Sequence, residues 1–173
     1  MITILSIISV FFVLRLATLI FSIKNEKRLR KEGAIEYGKI NSLSMTIYHV
    51  IFYVLSISEL IIVKNNFDVV SFIGVCLFVF SYIVLLYVMY QIRDVWTVKL
   101  FIAKNHKVNT SFLFKYVRHP NYYLNIIPEL IGIGMLCHAW YTMAVILPFY
   151  ALTMYNRITV EEKVMKQEIP QNS

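Results

Sequence analysis

Five long apolar runs constrain what this chain can fold into more than any other feature of the sequence. They cover residues 1–23, 42–63, 69–90, 122–137 and 138–155. A helix of about 20 residues crosses the ~30 Å hydrocarbon core of a bilayer, and it satisfies its backbone hydrogen bonds without water. We therefore predict an all-α integral membrane protein with about five transmembrane helices. No long polar loop separates the last two runs, so they are predicted to form a helical hairpin that turns near residues 138–140.

The overall composition agrees with this prediction. The 173 residues are 58% hydrophobic and 16% charged, whereas soluble domains average roughly 45–50% and about 25%. We expect a single membrane domain, with three spans in residues 1–90 and the motifs of a binding site in residues 91–173. The first run lacks the basic leader and small-residue cleavage site of a signal peptide, so it is interpreted as a retained span. Its one charge, Arg15, is predicted to tether this helix to another.

Polar segments separate the runs. Residues 24–41 are expected to form a loop that includes a short surface helix, because charges of both signs recur there at helical spacing. Residues 64–68 form a tight turn, and residues 156–173 form a polar tail that begins as a helix. Residues 91–115 mix aromatic and basic side chains, which is typical of a segment at the membrane interface.

The basic residues indicate an orientation. Fifteen of the 17 Lys and Arg residues fall on one side of a five-span arrangement, and only Lys64 falls on the other, because Arg15 lies within a span. The positive-inside rule places the basic side in the cytosol. The formal charge of +7 is therefore explained by topology and by contact with anionic membrane lipids rather than by nucleic-acid binding. We expect a multi-pass protein of the cell membrane.

The most polar motif lies at the start of the fourth run, in residues 115–123, with the sequence Lys-Tyr-Val-Arg-His-Pro-Asn-Tyr-Tyr. Proline lacks an N–H and favours the first turn of a helix, so a helix is predicted to begin near Pro120. The open N–H groups of such a turn attract anionic groups. Arg118 and His119 add charged donors, and Asn121 and Tyr122 add neutral ones. The cluster would suit a small polar cofactor with a carboxylate, although each residue alone could be a topology charge or part of an aromatic belt.

A second motif, residues 157–162, follows the fifth run. Arg157 and Glu161 are four residues apart and so share one helical face. Glu162 projects about 100° away, and its predicted role is an exposed pair with Lys166. Because an antiparallel hairpin brings its open ends together, Arg157 and Glu161 are expected to lie beside the first motif.

Several other polar residues lie in or beside the apolar runs. Glu129 lies two turns deeper than Tyr122 and needs a partner in the membrane, whereas His138 belongs to the predicted outer turn. Cys76 and Cys137 have no metal-ligand spacing and are interpreted as inert buried thiols. No metal site, catalytic triad or phosphate-binding loop is evident, so the sequence favours a group transfer that requires mainly placement of the reactants.

Three stretches carry a family resemblance: Trp96-Thr97-Val98, Tyr116-Val117-Arg118-His119-Pro120-Asn121-Tyr122 and Arg157-Ile158-Thr159-Val160-Glu161-Glu162. They resemble the isoprenylcysteine carboxyl methyltransferase family of integral membrane enzymes, over roughly residues 91–166. The resemblance implies S-adenosylmethionine as methyl donor and a lipophilic acceptor, either a small molecule or a lipid-borne group, that enters sideways from the bilayer. The residues implied to bind the donor are His106, Lys107, Val108, Asn109, Phe114, Arg118, His119, Pro120, Asn121, Tyr122 and Glu161. Arg157 is implied to meet the substrate carboxylate, and Arg157 and Glu161 are the predicted catalytic residues.

The chain departs from the family pattern in ways that bear on the acceptor. Phe112-Leu113-Phe114 replaces the usual Gly-x-Tyr, and Leu124 replaces a common glycine. The composition, rich in Asn, Lys and Ile, suggests a bacterium, and bacterial relatives are associated with O-methylation of lipophilic polyketides that carry an acidic hydroxyl. Two alternatives remain open: a nicotinamide-dependent membrane reductase, because sterol-type reductases share the Arg-His-Pro-Asn-Tyr core, and a non-catalytic membrane protein.

Overall fold

The fold is an all-α membrane bundle, as predicted. The structure is a computed structural model that describes residues 1–102, 113 and 116–168. Its elements are α1 (Ile2–Lys31), β1 (Ile35–Tyr37), α2 (Lys39–Val63), α3 (Val69–Gln91), β2 (Leu100–Ile102), a π-helix (Asn121–Ile126), α4 (Ile127–Cys137) and α5 (Trp140–Glu168). Helices α1, α2, α3 and α5 are long and apolar enough to cross a membrane. The shorter α4 continues directly from the π-helix.

The region after the first span differs from the prediction. Residues 24–31 are not loop but the last two turns of α1, because their Lys, Glu, Arg and Leu residues are strong helix formers. The helix ends before Gly33, whose φ of 79° is left-handed. Strand β1 then pairs antiparallel with β2, with Glu36 opposite Phe101. This short ribbon was not predicted, because three-residue strands carry too little pattern to be recognised in a sequence.

The two ends of the bundle differ in charge. The basic end contains the carboxyl ends of α1, α3 and α5 and the start of the π-helix, whereas the far end contains the turns after α2 and α4. At the far end Asp68 caps α3 by accepting a hydrogen bond from the Ser71 N–H at 2.9 Å, and it lies 3.0 Å from Nε2 of His138. His138 itself adopts a left-handed φ of 54°. The predicted hairpin turn near His138 is therefore confirmed, and His138 lies at the end of the bundle opposite the basic end.

Helices α3 and α4 approach each other closely through two glycines. A Cβ atom on Gly74 would lie 2.6 Å from the carbonyl oxygen of Gly132 and 2.6 Å from the amide nitrogen of Leu136. Small residues allow this kind of backbone contact between membrane helices. Cys137 is buried beside this contact, but Cys76 is exposed on the surface of α3. The prediction of two buried thiols is thus wrong for Cys76.

Helix α1 packs less extensively than the others. Helix α5 packs mainly against α2 rather than against its hairpin partner α4, while α1 has only a small contact with α4. The Phe11 ring of α1 lies 4.4 Å from the ring of Phe78, and the Tyr82 hydroxyl donates a 2.8 Å hydrogen bond to the Phe11 carbonyl. Most apolar side chains of α1 face outward, as expected for a helix in contact with lipid. A space is left between α1 and α2.

Candidate functional site

The two polar motifs meet at the basic end of the bundle. The Tyr122 hydroxyl donates a 2.8 Å hydrogen bond to Oε2 of Glu161 and accepts one of 3.2 Å from Nε of Arg157. Nδ1 of His119 lies 3.5 Å from Oε1 of Glu161. The expected convergence of the open ends of the hairpin is therefore observed, and one polar cluster unites residues that are some 40 positions apart.

The backbone after His119 explains how that cluster is assembled. Pro120 begins the helix, as predicted, and the amides of Tyr122 and Tyr123 both donate to the His119 carbonyl, at 3.1 and 3.2 Å. The following turn is π-helical rather than α-helical. Such single turns are rare and are frequent at functional sites. Here the wider turn continues into α4 while His119, Asn121 and Tyr122 all line one cavity.

His119 is held between two carboxylates. It is 8% exposed, and Nε2 lies 3.2 Å from Oε1 of Glu162, on the opposite side of the ring from Glu161. The hydrogen bond to Glu161 is the main cause that raises the pKa of His119 above its usual value, against the opposing effect of burial, and Glu162 adds to the rise. The imidazole therefore retains its proton to higher pH than a free histidine does.

Glu162 does not have the solvated surface role that its position suggested. Its side chain is partly buried and lies against His119. The expectation of a simple exposed pair with Lys166 is wrong, because His119 comes from a different element that no helical wheel of α5 includes. The side chains of Glu162 and Lys166 line the same cavity as the cluster.

Arg157 is the most deeply buried charge of the cluster, with 3% exposure. Its guanidinium donates to the hydroxyl oxygens of Ser42 and Tyr122 and to the Val98 carbonyl at 3.5 Å. All three acceptors are neutral. Within residues 1–102, 113 and 116–168, no carboxylate forms an ion pair with Arg157 by the usual 4 Å criterion. The Glu161 carboxylate reaches Arg157 through the Tyr122 hydroxyl rather than directly. An anionic ligand could pair with this buried cation directly, which would be favourable.

The remaining predicted site residues are distributed unevenly. Pro120 is buried, and Arg118 is exposed at the margin of the cavity. The Asn121 side-chain oxygen accepts a 2.9 Å hydrogen bond from the Asn125 amide. His106, Lys107, Val108, Asn109 and Phe114 lie outside the described residues, so their predicted roles stay predictions.

Two site residues were missed by the sequence analysis. Ser42 touches Arg157 from α2, and nothing in an apolar helix distinguishes such a serine. Asn125 is 1% exposed and lines the cavity, and its Oδ1 atom has no hydrogen-bond partner within the described part of the chain. An asparagine inside an apolar run, three residues after Tyr122, is costly in a membrane and therefore indicates a functional residue.

A second polar cluster lies deeper in the bundle. Nε of Arg15 donates a 2.8 Å hydrogen bond to Oε1 of Glu129, and its Nη2 pairs with the other carboxylate oxygen. The Tyr53 hydroxyl donates to the same Oε1 at 2.6 Å, and Nδ1 of His49 lies 3.3 Å from the Tyr150 hydroxyl. The predicted tether at Arg15 is confirmed, and Glu129 has the partner that its depth requires.

A cavity of about 1070 Å³ connects the two clusters. At the basic end it is lined by Arg157, His119 and Glu161. Between α1 and α2 it is lined by apolar side chains that include Phe12, Leu16, Val50 and Ile57. The cavity thus extends between these two helices, whose outward faces are apolar. The described residues contain no group of three or more His, Cys, Asp or Glu side chains that could hold a metal ion.

The fold and the site together define a class: helical membrane proteins with a charged pocket at one end of a largely apolar cavity. The comparison with protein families makes the assignment more specific. The chain belongs to the isoprenylcysteine carboxyl methyltransferase family, whose model matches residues 69–167. This membership supports a membrane methyltransferase of that kind over the reductase alternative.

Two relatives extend the similarity to the whole chain. An uncharacterised protein of Haemophilus influenzae is 46% identical over 159 residues, which is 92% of each chain. The uncharacterised protein YpbQ of Bacillus subtilis is 25% identical over 162 residues, 93% of this chain and 95% of the relative. No solved structure has significant similarity to the chain.

Proposed function

We propose that this protein transfers a methyl group from S-adenosylmethionine to an anionic oxygen of a lipophilic acceptor that enters from the membrane. The acceptor oxygen belongs to a carboxylate or to an acidic hydroxyl. The site faces the cytosol, where the methyl donor is available. The proposal combines the family membership with the basic-end position of the charged cluster.

One observation supports this proposal above the others: Arg157 is buried among neutral oxygens at the end of an apolar cavity. A guanidinium presents N–H groups in a fork that matches a carboxylate. An anionic acceptor oxygen would therefore supply a direct counter-ion, which none of the described residues does. A carboxylate is already ionised at neutral pH, so its methylation requires no strong general base.

The residues of the pocket fit the methyl donor. Bound S-adenosylmethionine would supply an electrophilic methyl group on a positively charged sulfonium. Glu161 and Glu162 are two carboxylates on the cavity surface that can face positive charge, and the unpartnered Oδ1 of Asn125 is a hydrogen-bond acceptor for an ammonium or hydroxyl group. Arg118 and the first turn after Pro120 offer donors for a carboxylate.

The chain's own residues would act mainly by placement. Arg157 holds the acceptor oxygen, and Tyr122 fixes the position of Arg157 relative to Glu161. His119 keeps Glu161 and Glu162 on the same side of the pocket. Correct positioning alone can contribute about 7–11 kcal/mol to a bimolecular reaction. The apolar walls exclude water, which strengthens the electrostatic contacts within the site.

Calorimetric titration of detergent-purified protein tests the donor. We expect heat with S-adenosylhomocysteine and none with NADPH. Binding of NADPH alone would contradict the proposal in favour of a reductase, and binding of neither would favour a non-catalytic protein. Mass spectrometry of lipids from cells with and without the gene tests the acceptor, because methylation adds the mass of one CH₂ group to a membrane-extractable product.

A further inference from the structure

The deeper polar cluster, which contains Arg15 and Glu129, lies along the same cavity as Arg157 but farther from the basic end. Two α-helices place one polar residue in each cluster at a spacing of seven residues: Ser42 and His49 on α2, and Arg157 and Tyr150 on α5. Seven helical residues return to the same face after a rise of about 10 Å. The cavity therefore has two polar layers about 10 Å apart.

The space between the layers is lined mainly by apolar side chains, with Thr46 and Asn125 as polar exceptions. Met45 lies between Ser42 and His49, and Ile126 lies between Tyr122 and Glu129, and both line the cavity. A ligand that occupies the cavity from one layer to the other would meet a polar end, an apolar stretch and then a second polar site. A plain alkyl chain would match only the first two.

The deeper layer is electrically neutral but has hydrogen-bond donors to spare. Arg15 and Glu129 cancel each other's charge. A guanidinium has five N–H donors, and the two contacts with Glu129 use only part of them. Arg15 is not sealed in the bundle: its side chain is 23% exposed and lines the cavity, as do His49 and Tyr53. Hydrocarbon cannot accept hydrogen bonds, so donors that face it are penalised.

From this juxtaposition we infer that Arg15, which His49 and Tyr53 flank in the cavity lining, forms a second recognition point for the acceptor. It selects lipophilic acceptors that carry a neutral hydrogen-bond-accepting oxygen, such as a ketone, about 10 Å from the oxygen that is methylated. A second anion is disfavoured, because Glu129 already neutralises Arg15. This inference rests on the proposed function, in which Arg157 holds the acceptor's anionic oxygen.

Binding of a positional series of keto-octadecanoic acids tests the inference. Trp96 lines the cavity and serves as the fluorescent probe, in a Trp140→Phe background that removes the other tryptophan, which is exposed at the far end. We expect the isomer with its ketone about 10 Å from the carboxylate to bind about three- to tenfold more tightly than octadecanoic acid, the effect of one added hydrogen bond. Equal affinities across the series would overturn the inference.

Two variants separate recognition from a purely structural tether. The double variant Arg15→Met/Glu129→Leu removes the polar pair without leaving an isolated charge. It should abolish the positional preference and retain the affinity for octadecanoic acid within about threefold, less than the loss of one ordinary hydrogen bond. Tyr82→Phe removes another bond that holds the membrane-spanning part of α1, to the Phe11 carbonyl, from a residue outside the cavity lining. It should retain the preference. Loss of the preference in Tyr82→Phe would show that the pair acts only through the position of α1.

Methyl transfer is measured separately on the same acids. Methylation of the series without any positional preference in binding would refute the second recognition point and support the proposed function. A clear positional preference without methyl transfer, together with no binding of S-adenosylhomocysteine, would refute the proposed function and support the recognition point.

Discussion

Tyr122 and Glu161, which are 39 residues apart in the sequence, are joined by a 2.8 Å hydrogen bond from the phenol to the carboxylate. The same hydroxyl accepts a bond from Arg157. A phenol can donate one hydrogen bond and accept others, so Tyr122 links the residue proposed to hold the acceptor with the residue proposed to face the donor. Substitutions at Tyr122 and Arg157 can separate these roles.

Tyr122→Phe should weaken donor binding. The substitution removes the hydroxyl that fixes Glu161 and keeps the ring that fills the pocket. We expect the affinity for S-adenosylhomocysteine to fall by about three- to tenfold, as for one lost hydrogen bond, measured by calorimetry. Tyr123→Phe is the matched control, because Tyr123 is adjacent but 48% exposed. Equal losses in both variants would argue against a specific role for the Tyr122 hydroxyl.

Arg157→Gln should impair use of the acceptor more than binding of the donor. Charge-assisted hydrogen bonds are worth about 1.5–3 kcal/mol, so kcat/KM for the acceptor is expected to fall by roughly ten- to a hundredfold. The affinity for S-adenosylhomocysteine should change far less. Lys163→Gln, an exposed change on the same helix, is the control. If donor affinity collapsed while acceptor KM was unchanged, the roles assigned to the two sides of the pocket would be reversed.

The contact of His119 with its carboxylates should be sensitive to high pH. Because its pKa is raised in the folded state, the stabilisation is fully present below the unfolded pKa of about 6.5 and is lost as pH rises through the folded value. Thermal unfolding of the wild type and of Glu162→Gln as a function of pH measures this effect. At low pH the wild type should be more stable than Glu162→Gln. This difference in stability between the two proteins should shrink in alkaline buffer. A difference that grows with pH would contradict the assigned protonation state.

The Arg15–Glu129 pair should show strong coupling in stability. Arg15→Met alone leaves the fully buried carboxylate of Glu129 without its cation, and breaking such a pair costs about 3–5 kcal/mol. The double variant Arg15→Met/Glu129→Leu should recover most of that loss. Unfolding in detergent for the wild type, both single variants and the double variant provides the measurement. Additive effects of the two substitutions would mean that the pair does not interact.

Gly74→Ala should loosen the contact between α3 and α4. The added Cβ would lie 2.6 Å from backbone atoms of Gly132 and Leu136, and backbone cannot move aside as a flexible side chain can. Overpacking of this kind typically costs about 1–3 kcal/mol. Cys76→Ala, on the exposed surface of the same helix, is the control. Unchanged stability of Gly74→Ala would show that the two helices are not held at this distance.

The sequence was sufficient to predict what depends on long-range hydropathy and on simple helix geometry. The all-α membrane fold, the turn at His138 and the meeting of Tyr122 with Glu161 all follow from apolar runs and a short connection. The roles of the site residues remain predictions. The predictions that failed concern residues whose neighbours come from other elements. Glu162 was predicted to face solvent, because its partner His119 does not lie on the same helix.

Other features carry no distinctive local signal at all. The β1–β2 ribbon joins residues more than 60 positions apart through backbone bonds alone. Ser42 meets Arg157 by the packing of α2 on α5, and a π-helical turn has no sequence pattern that separates it from an α-helical one. These relationships are set by tertiary packing, which overrides local preference.

The close approach at Gly74 and Gly132 divides the molecule into a stiff part and a compliant part. Helices α3 and α4 cannot separate or slide without breaking backbone contact, so the frame that carries Tyr122 keeps its shape whatever occupies the cavity. Accommodation of bulkier or thinner ligands can therefore come from the membrane-spanning part of α1, which is held at Phe11 and Arg15. The carboxyl end of α1 is instead tied by hydrogen bonds to residues 93–99. The α1 side of the cavity can adapt to different ligands, while α3 and α4 keep the dimensions of the site around Tyr122.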